Sequence, residues 1–134
     1  MKAVKIIAVL LVVYVGIVVT FESLIGYFQP ANENTLVITT IDADGTKNDR
    51  VLSRLESDGQ LYVAVNHWPR AWYNRVLENP NVEIVLDGEK GNYLAVSVTD
   101  DAEHERINTE HALGPVVRFL TGFPPRYFVR LDPR

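Results

Sequence analysis

The segment from Thr35 to Asn66 decides the fold, and it reads TLVITTIDADGTKNDRVLSRLESDGQLYVAVN. Its first part, Thr35–Asp42, is rich in β-branched residues, which favour strands. A second strand is predicted over about Asn48–Glu56, and Ser57-Asp58-Gly59 turns the chain into a third strand at Gln60–Asn66. Because each link is a short turn, the segment predicts an antiparallel meander.

The rest of the chain adds three strands and three helices to this meander. One helix is predicted from Pro69 to about Asn79, a second runs to about Leu113 after a cap at Asp100 or Asp101, and a third covers Val116–Leu120. The strands are predicted over Asn81–Leu86, Tyr93–Thr99 and Arg126–Leu131. Six strands, mostly in antiparallel hairpins, with a helix between the third and the fourth, predict a mainly β fold. We expect a small six-stranded antiparallel barrel, closed or split, with peripheral helices.

The N-terminal residues are predicted to lie in a membrane rather than in this barrel. After Lys2 and Lys5, the run Ile6–Phe21 has no charged residue, and apolar residues continue to Phe28. Sixteen helical residues span about 24 Å, close to the roughly 30 Å hydrocarbon core of a bilayer. We therefore predict one transmembrane helix, with residues 1–30 as anchor and linker, lipid contact through residues 6–28, and the barrel domain over residues 31–134.

The charges around this helix predict its orientation. Lys2 and Lys5 precede the apolar run, while Glu22, Glu33 and Asp42 follow it. The positive-inside rule then keeps the N-terminus cytoplasmic and places the domain outside. The predicted localisation is a single-pass membrane protein.

Composition excludes several classes of function. The chain has 13 basic and 17 acidic residues, a net charge of −4, whereas a nucleic-acid-binding protein would be basic. It has no cysteine, which excludes thiolate catalysis and cysteine-bound zinc. His104 and His111 are seven residues apart, so they miss the i, i+4 spacing that chelates a metal from a helix. We read them as part of a solvated polar face and predict no metal site.

The connection after the third strand concentrates unusual residues. Residues 66–80 read NHWPRAWYNRVLENP and contain both tryptophans, Trp68 and Trp72. With Val76 and the adjacent Leu77 they recur at helical spacing, which predicts that one helix face packs inward. Trp68 and Trp72 therefore either wall a ligand pocket or plug the end of the barrel.

Positively charged and donor groups gather around the start of this helix. Arg70 and Ala71 fall in its first turn, where free N–H groups and the helix dipole favour an anion. Asn66 and His67 can donate from the preceding strand end. Two further candidates, Arg50 and Arg54, lie an even number of residues apart on the second strand and so share one face. These residues form either a phosphate site or ion pairs with the excess of acids, and no catalytic acid or base is identified.

The chain from Thr35 to Arg134 resembles the deazaflavin-dependent nitroreductase and quinone reductase family, a branch of the split β-barrel flavin-binding proteins. The resemblance is carried by LVITTIDADG, the arginine on the next strand, ESDGQLYVAV, WYNRVLENPNVEIVLDG, SVTDDAEHERIN and RYFVRLDPR. One difference is the turn Asp42–Lys47, which has two acids where many members of the family have a glycine- and base-rich turn.

The resemblance implies a cofactor, 8-hydroxy-5-deazaflavin (coenzyme F-420) or, in related branches, FMN. Its phosphate would bind near Arg50, and the ring would lie against the backbone of the third strand. The implied cofactor-binding residues, together with Arg54 from the arginine pattern, are Arg50, Arg54, Val63, Ala64, Val65, Asn66, His67, Trp68, Arg70, Ala71 and Trp72. The implied activity is hydride transfer to a quinone- or nitro-type acceptor. A homodimer is a further expectation, and the alternative is a non-catalytic split-barrel module that binds a flavin, heme or a hydrophobic ligand at the membrane.

Overall fold

The computed structural model describes residues 1–27, 34–65 and 71–134, apart from the side chains of residues 25–27. The chain forms two compact units. One comprises the N-terminal helix and the segment Leu113–Pro124, and the other holds the sheet and its two flanking helices.

The larger unit is a curled antiparallel half-barrel, in which all the recorded strand pairs are antiparallel. Its seven described strands are β1 (Thr35–Ile41), β2 (Lys47–Ser53), β3 (Leu55–Ser57), β4 (Gln60–Val65), β5 (Asn81–Leu86), β6 (Glu89–Ser97) and β7 (Tyr127–Pro133). They are ordered β2-β1-β5-β6-β7-β4-β3 in the sheet. The antiparallel, mainly β prediction is confirmed.

The predicted count of six strands is wrong, because the predicted second strand is divided at Arg54. Up to Ser53 the chain pairs with β1, and from Leu55 it pairs with β4. Between them the Arg54 N–H donates to the carbonyl of Asn34. The strands β2 and β3 are the two edges of the sheet yet are one residue apart, so the sheet has to curl until its edges meet at Arg54.

Two of the hairpins use the same two-residue turn. Asp58-Gly59 joins β3 to β4, and Asp87-Gly88 joins β5 to β6. All four residues have positive φ, between 52° and 81°. Asp-Gly in this conformation matches the right-handed twist of the flanking strands. The second turn is tighter than predicted, so β6 begins at Glu89 instead of Tyr93.

The alternating residues of the strands form two apolar clusters on opposite faces of the sheet. The larger cluster fills the concave side and comprises Leu36, Ile38, Leu52, Val63, Val65, Trp72, Val76, Val82, Ile84, Ala95, Val129 and Leu131. The smaller cluster lies on the other face of β4 and β7 and consists of Tyr62, Ile107 and Phe128. The period-two alternation along β4 therefore sets which side chains meet which helix.

Two helices flank the sheet. α2 (Ala71–Glu78) contributes Trp72 and Val76 to the concave cluster, and α3 (Asp101–Glu110) contributes Ile107 to the other. Asp100 is the N-cap of α3 and accepts a hydrogen bond from the Glu103 N–H at 2.9 Å, which confirms one of the two predicted caps. α3 ends three residues before the predicted Leu113.

The smaller unit contains α1 (Lys2–Tyr27) and α4 (Pro115–Leu120). Residues Lys2–Leu24 are long and apolar enough to cross a membrane, with a mean hydropathy of 2.7, a signature that a membrane anchor and a signal sequence share. In α1 the ring of Tyr14 lies 4.9 Å from that of Phe119 in α4, and its hydroxyl donates to the Phe119 carbonyl at 2.9 Å. The two helices of this unit are thus in direct contact.

Candidate functional site

The helix α2 presents one apolar face to the sheet, as its spacing predicts. Trp72 is 5 % exposed and Val76 is 3 % exposed, both within the concave cluster. Leu77 is 54 % exposed, so its predicted inward packing is wrong. The reason is geometric, since a residue adjacent to Val76 lies about 100° around the helix from it. Trp68, the other predicted member of this face, lies outside the described residues.

An aromatic row leads from this buried tryptophan to the surface. The ring of Trp72 lies edge-on to Tyr73 at 5.9 Å, and Tyr73 stacks on Tyr127 at 5.8 Å with only 14° between the ring planes. Tyr127 is 42 % exposed and pairs with Val65 at the end of β4. Burial raises the pKa of Tyr73, so its hydroxyl stays neutral. The motif analysis missed Tyr73 and Tyr127, although the sequence places Tyr73 directly beside Trp72.

Arg50 lies on the concave side of the sheet. It pairs in register with Ile38 on β1, and directly opposed residues of an antiparallel pair share a face. Ile38 is fully buried in the concave cluster, and Leu52, two residues along β2 from Arg50, belongs to the same cluster. The strand β2 also approaches β4. Arg50 is half-buried and thus places a positively charged residue on the same face as an apolar cluster.

Arg54 has a different environment from Arg50. Its guanidinium lies 2.6 Å from the Glu56 carboxylate and 3.0 Å from that of Asp87. The hydrogen bonds to Glu56 and Asp87 raise the pKa of Arg54. Because the strand is divided at Arg54, the predicted even spacing with Arg50 no longer fixes a common face. Arg54 thus connects β3 to the β5–β6 turn through two ion pairs.

The other predicted cofactor residues fall into three sets. Val63 and Val65 are buried in the concave cluster, at 0 % and 2 % exposure, whereas Ala64 keeps some surface on the opposite face. Ala71 is the first residue of α2 and is exposed. Asn66, His67 and Arg70 lie outside the described residues, between the end of β4 and the start of α2. In the described part of the chain, residues Val63–Val65 are paired with β7 on one side, and β3 is too short to pair with them on the other.

The two acids of the β1–β2 turn have structural partners. Asp42 forms an ion pair with Arg75 of α2 at 3.2 Å and accepts from the Asn48 amide at 3.1 Å. Asp44 accepts from the Thr46 N–H at 3.0 Å, and this backbone hydrogen bond lowers the pKa of Asp44. Asp42 therefore connects the β1–β2 turn to α2, and Asp44 stabilises the turn itself.

A polar network on α3 escaped the sequence analysis. The Tyr62 hydroxyl is 2.8 Å from the Glu103 carboxylate and accepts from the Arg106 guanidinium at 3.1 Å. Arg130, which pairs in register with Tyr62, lies 3.2 Å from Glu103, and Arg106 also donates to Ser57 at 3.0 Å. Burial raises the pKa of Tyr62 to about 12. The signal available in the sequence was Glu103 and Arg106, one helical turn apart beside Ile107.

The predicted solvated face of α3 is wrong for its two histidines. His104 Nε2 lies 3.0 Å from the Arg126 carbonyl, and its ring packs against Phe128 at 5.0 Å. His111 Nε2 lies 2.9 Å from the Glu56 carbonyl. The two rings thus connect α3 and its C-cap to backbone carbonyls, one just before β7 and one in β3. Among the residues that the structure describes, no group of His, Asp and Glu is arranged to hold a metal ion.

A cleft of about 540 Å³ opens at the β3–β4 hairpin, away from the predicted site. It is lined by Glu56, Ser57, Asp58, Gly59, Gln60, Leu61, Leu86, Tyr93, Glu110, Leu131, Asp132 and Pro133. Four of these side chains are carboxylates, and none is an arginine or lysine. A phosphate-bearing ligand would be repelled there, so the cleft does not replace the Arg50 region as a candidate.

The fold is shared with several solved structures of low sequence identity. The heme storage protein HutZ from Vibrio cholerae matches with a TM-score of 0.59 and 20 % identity, over 77 % of this chain and 83 % of HutZ. An F420-H2 dependent reductase, FDR-A, matches with a TM-score of 0.55 and 19 % identity, over 77 % of this chain and 98 % of the reductase. A domain-swapped dimer matches with a TM-score of 0.60 and 18 % identity, over 78 % and 84 % of the two chains.

These similarities show the fold and leave the activity open, since the matched proteins include a reductase and a heme storage protein. No protein-family model matches the chain. The comparison with curated proteins finds no match.

Proposed function

We propose that the protein is a membrane-anchored oxidoreductase that binds a deazaflavin or flavin and passes hydride to a quinone- or nitro-type acceptor. The observation that carries the proposal is the placement of Arg50, a guanidinium on the apolar concave face of the half-barrel. A planar guanidinium forms bidentate hydrogen bonds with phosphate. The proposed cofactor is 8-hydroxy-5-deazaflavin, with FMN as the alternative.

The described residues fit such a ligand in three respects. Arg50 offers positive charge beside an apolar cluster, which is the composition of most small-molecule sites. The aromatic row ends at the exposed ring of Tyr127, on which a flat tricyclic ring can stack. α2 begins at Ala71, which is exposed, and the N–H groups in the first turn of a helix favour a phosphate. Asn66, His67, Trp68 and Arg70 complete the proposed site.

In this proposal the protein binds and orients, and the cofactor, when bound, supplies the hydride chemistry. Trp72 is already held by the core, so it gives a rigid apolar wall. Arg54 is engaged in ion pairs with Glu56 and Asp87, so we expect it to contribute less than Arg50 to binding of the cofactor. A homodimer is proposed as the working state, with support from the matched domain-swapped dimer.

The membrane anchor is proposed from α1. Its candidate span is almost fully exposed, with 6 % buried, and a 23-residue apolar helix in water would be unfavourable. A lipid-soluble quinone gives an anchored reductase direct access to its acceptor, and the proposed orientation keeps Lys2 and Lys5 cytoplasmic. A cleavable signal sequence is the competing interpretation of the same helix.

The test is a titration of the full chain in detergent micelles with deazaflavin and with FMN, followed by quenching of tryptophan emission. R50A is expected to weaken binding by at least about tenfold, the loss of a charge-assisted hydrogen bond. R54A is the matched control and should bind nearly as well as the unmodified protein. Oxidation of the reduced cofactor by a short-chain quinone then tests turnover.

The alternative function is a binding module without catalysis, for which the match to HutZ is the specific observation. It predicts saturable binding of hemin, seen as a shifted Soret band, and no quinone-dependent oxidation of either reduced flavin. Binding of neither cofactor by a folded chain would refute the oxidoreductase proposal.

A further inference from the structure

The segment Leu113–Pro124 interrupts the sequence between α3 and β7 with an exposed apolar helix. In α4 and the turn after it, Val116 is 69 % exposed, Phe119 50 % and Phe123 57 %. Its single charged residue is Arg118, and it contains no acid. Such an exposed apolar surface is unfavourable in water and is typical of a site that contacts another protein or a membrane.

The contacts of α4 within its own unit are with the apolar helix. Tyr14 packs against Phe119 and donates to its carbonyl at 2.9 Å. Leu120 lines an apolar groove together with Val13, Gly16, Ile17, Thr20, Phe21 and Leu24 of α1. The contacts run from the middle of the Lys2–Leu24 span to its end, so α4 lies along one half of that span.

Three successive carbonyl groups near the end of α4, those of Val117, Arg118 and Phe119, accept hydrogen bonds from within the protein. The Val117 carbonyl accepts from the Thr121 N–H and the Thr121 hydroxyl, at 3.0 and 2.9 Å. The Arg118 carbonyl accepts from the Phe123 N–H and the Thr121 hydroxyl, at 3.0 and 3.2 Å. The Phe119 carbonyl accepts from the Gly122 N–H at 3.2 Å and from Tyr14.

These hydrogen bonds matter because the last carbonyl groups of a helix normally have water as their hydrogen-bond partner. In a bilayer core there is no water, and each unsatisfied group is costly. Here each of the last three carbonyls before Leu120 accepts a backbone N–H, the Phe119 carbonyl also accepts from Tyr14, and the single Thr121 hydroxyl proton is shared by the other two. Pro115 at the first position of α4 lacks an N–H, which removes one donor that would otherwise need a partner.

We propose that Leu113–Pro124 is a second membrane contact, a short re-entrant segment that enters one leaflet beside α1 with Val116, Phe119 and Phe123 against lipid. The inference rests on the proposed role of α1 as a membrane anchor. Arg118 has a long side chain that can reach the phosphates of the headgroups, and its guanidinium lies 6.0 Å from the Phe123 ring. Phenylalanine is favourable among acyl chains, and an arginine beside it can extend to the headgroups.

The chain has no cysteine, so single cysteines report position without background. V116C and F123C, in the proposed segment, are labelled with a nitrobenzoxadiazole maleimide and reconstituted as full-length protein in phosphatidylcholine vesicles. V12C, in α1, is the control for the anchor. L77C is the matched control, since Leu77 is as exposed as Phe123 but belongs to the other unit. Each emission is compared with and without doxyl-labelled lipid.

We expect doxyl lipid to remove about half or more of the emission from V12C, V116C and F123C, because their labels lie among acyl chains. L77C should keep its emission. Quenching of V12C without quenching of V116C and F123C overturns the re-entrant segment and leaves the anchor standing. An unquenched but blue-shifted label at V116C also overturns it, since a second protein copy would then cover α4. Absence of quenching at V12C removes the anchor and this inference together.

Discussion

α2 and α3 both cover the half-barrel, but they are held to it by different forces. α2 inserts Trp72 and Val76 into the large concave cluster. α3 has one buried residue, Ile107, and otherwise meets the sheet through Glu103, Arg106 and its two histidines. Apolar packing has no direction, whereas the α3 contacts require defined donors and acceptors. The comparison suggests that α2 determines stability and α3 determines alignment.

The largest expected effect is on the α2 side. W72A should lower the free energy of unfolding by about 3 to 5 kcal/mol, because it removes a fully packed ring from the concave cluster. Chemical denaturation of the full chain in detergent measures this. The matched control is L77A on the exposed face of the same helix, expected to stay within about 0.5 kcal/mol of the unmodified protein.

Equal losses in W72A and L77A would break the comparison, since they would mean that α2 is not anchored through its apolar face. A loss much larger than the expected range would instead indicate that Trp72 also supports the neighbouring segment of residues 66–70.

The second prediction concerns the buried hydroxyl beneath α3. Folding raises the pKa of Tyr62 from 10.0 to about 12, first through burial and then through the neighbouring Glu103 carboxylate. The folded state therefore holds this proton more tightly than the unfolded chain. The resulting stabilisation is complete below the unfolded pKa and is lost as the pH rises through the folded one.

Relative to Y62F, the unmodified protein should lose up to about 2 kcal/mol of stability over that alkaline range. The measurement is unfolding of both proteins at a series of pH values, up to the onset of alkaline unfolding. Y62F cancels the pH-dependent background from the rest of the chain, which is the same in both proteins. Parallel curves for the two proteins would contradict the assignment.

The third prediction separates charge from shape in the α3 network. E103Q keeps the side-chain volume but removes the charge that faces Arg130 and Tyr62 at 3.2 and 2.8 Å. We expect a loss of about 1 to 2 kcal/mol, because Arg130 retains Asp132 as its second partner. E105Q, on the exposed side of the same helix, should be close to neutral. Equal effects at both positions would place Glu103 on a solvated face after all.

The contrast between the two helices also explains which features could be predicted from the sequence. The antiparallel strands, the Asp-Gly turns and the inward face of α2 follow from short-range periodicity and turn chemistry, and the structure has them. The polar network was not foreseen because Tyr62, Glu103 and Arg130 are distant in sequence and meet only through the register of β4 and β7.

The arginine pattern shows the same limit in the candidate site. Even spacing predicts one face for Arg50 and Arg54 only while the strand is continuous. The chain leaves β1 for β4 at Arg54, a change of partner that depends on the whole sheet. Arg50 lies on the face of the concave cluster, whereas Arg54 is directed to Glu56 and Asp87. Local periodicity thus located the strand-forming regions, but it did not predict the change of pairing partner at Arg54.

The smallest expected effect tests whether α3 is aligned at its first turn. The sequence offered two adjacent caps, and the structure assigns the role to Asp100, which accepts from the Glu103 N–H. D100A should lower stability by about 1 kcal/mol, while D101A should cost only a few tenths through the helix dipole. Because the cap holds the backbone of Glu103, D100A should also flatten the alkaline slope that Tyr62 produces. If D100A and D101A are equivalent in unfolding and in that slope, the network aligns α3 without help from its cap.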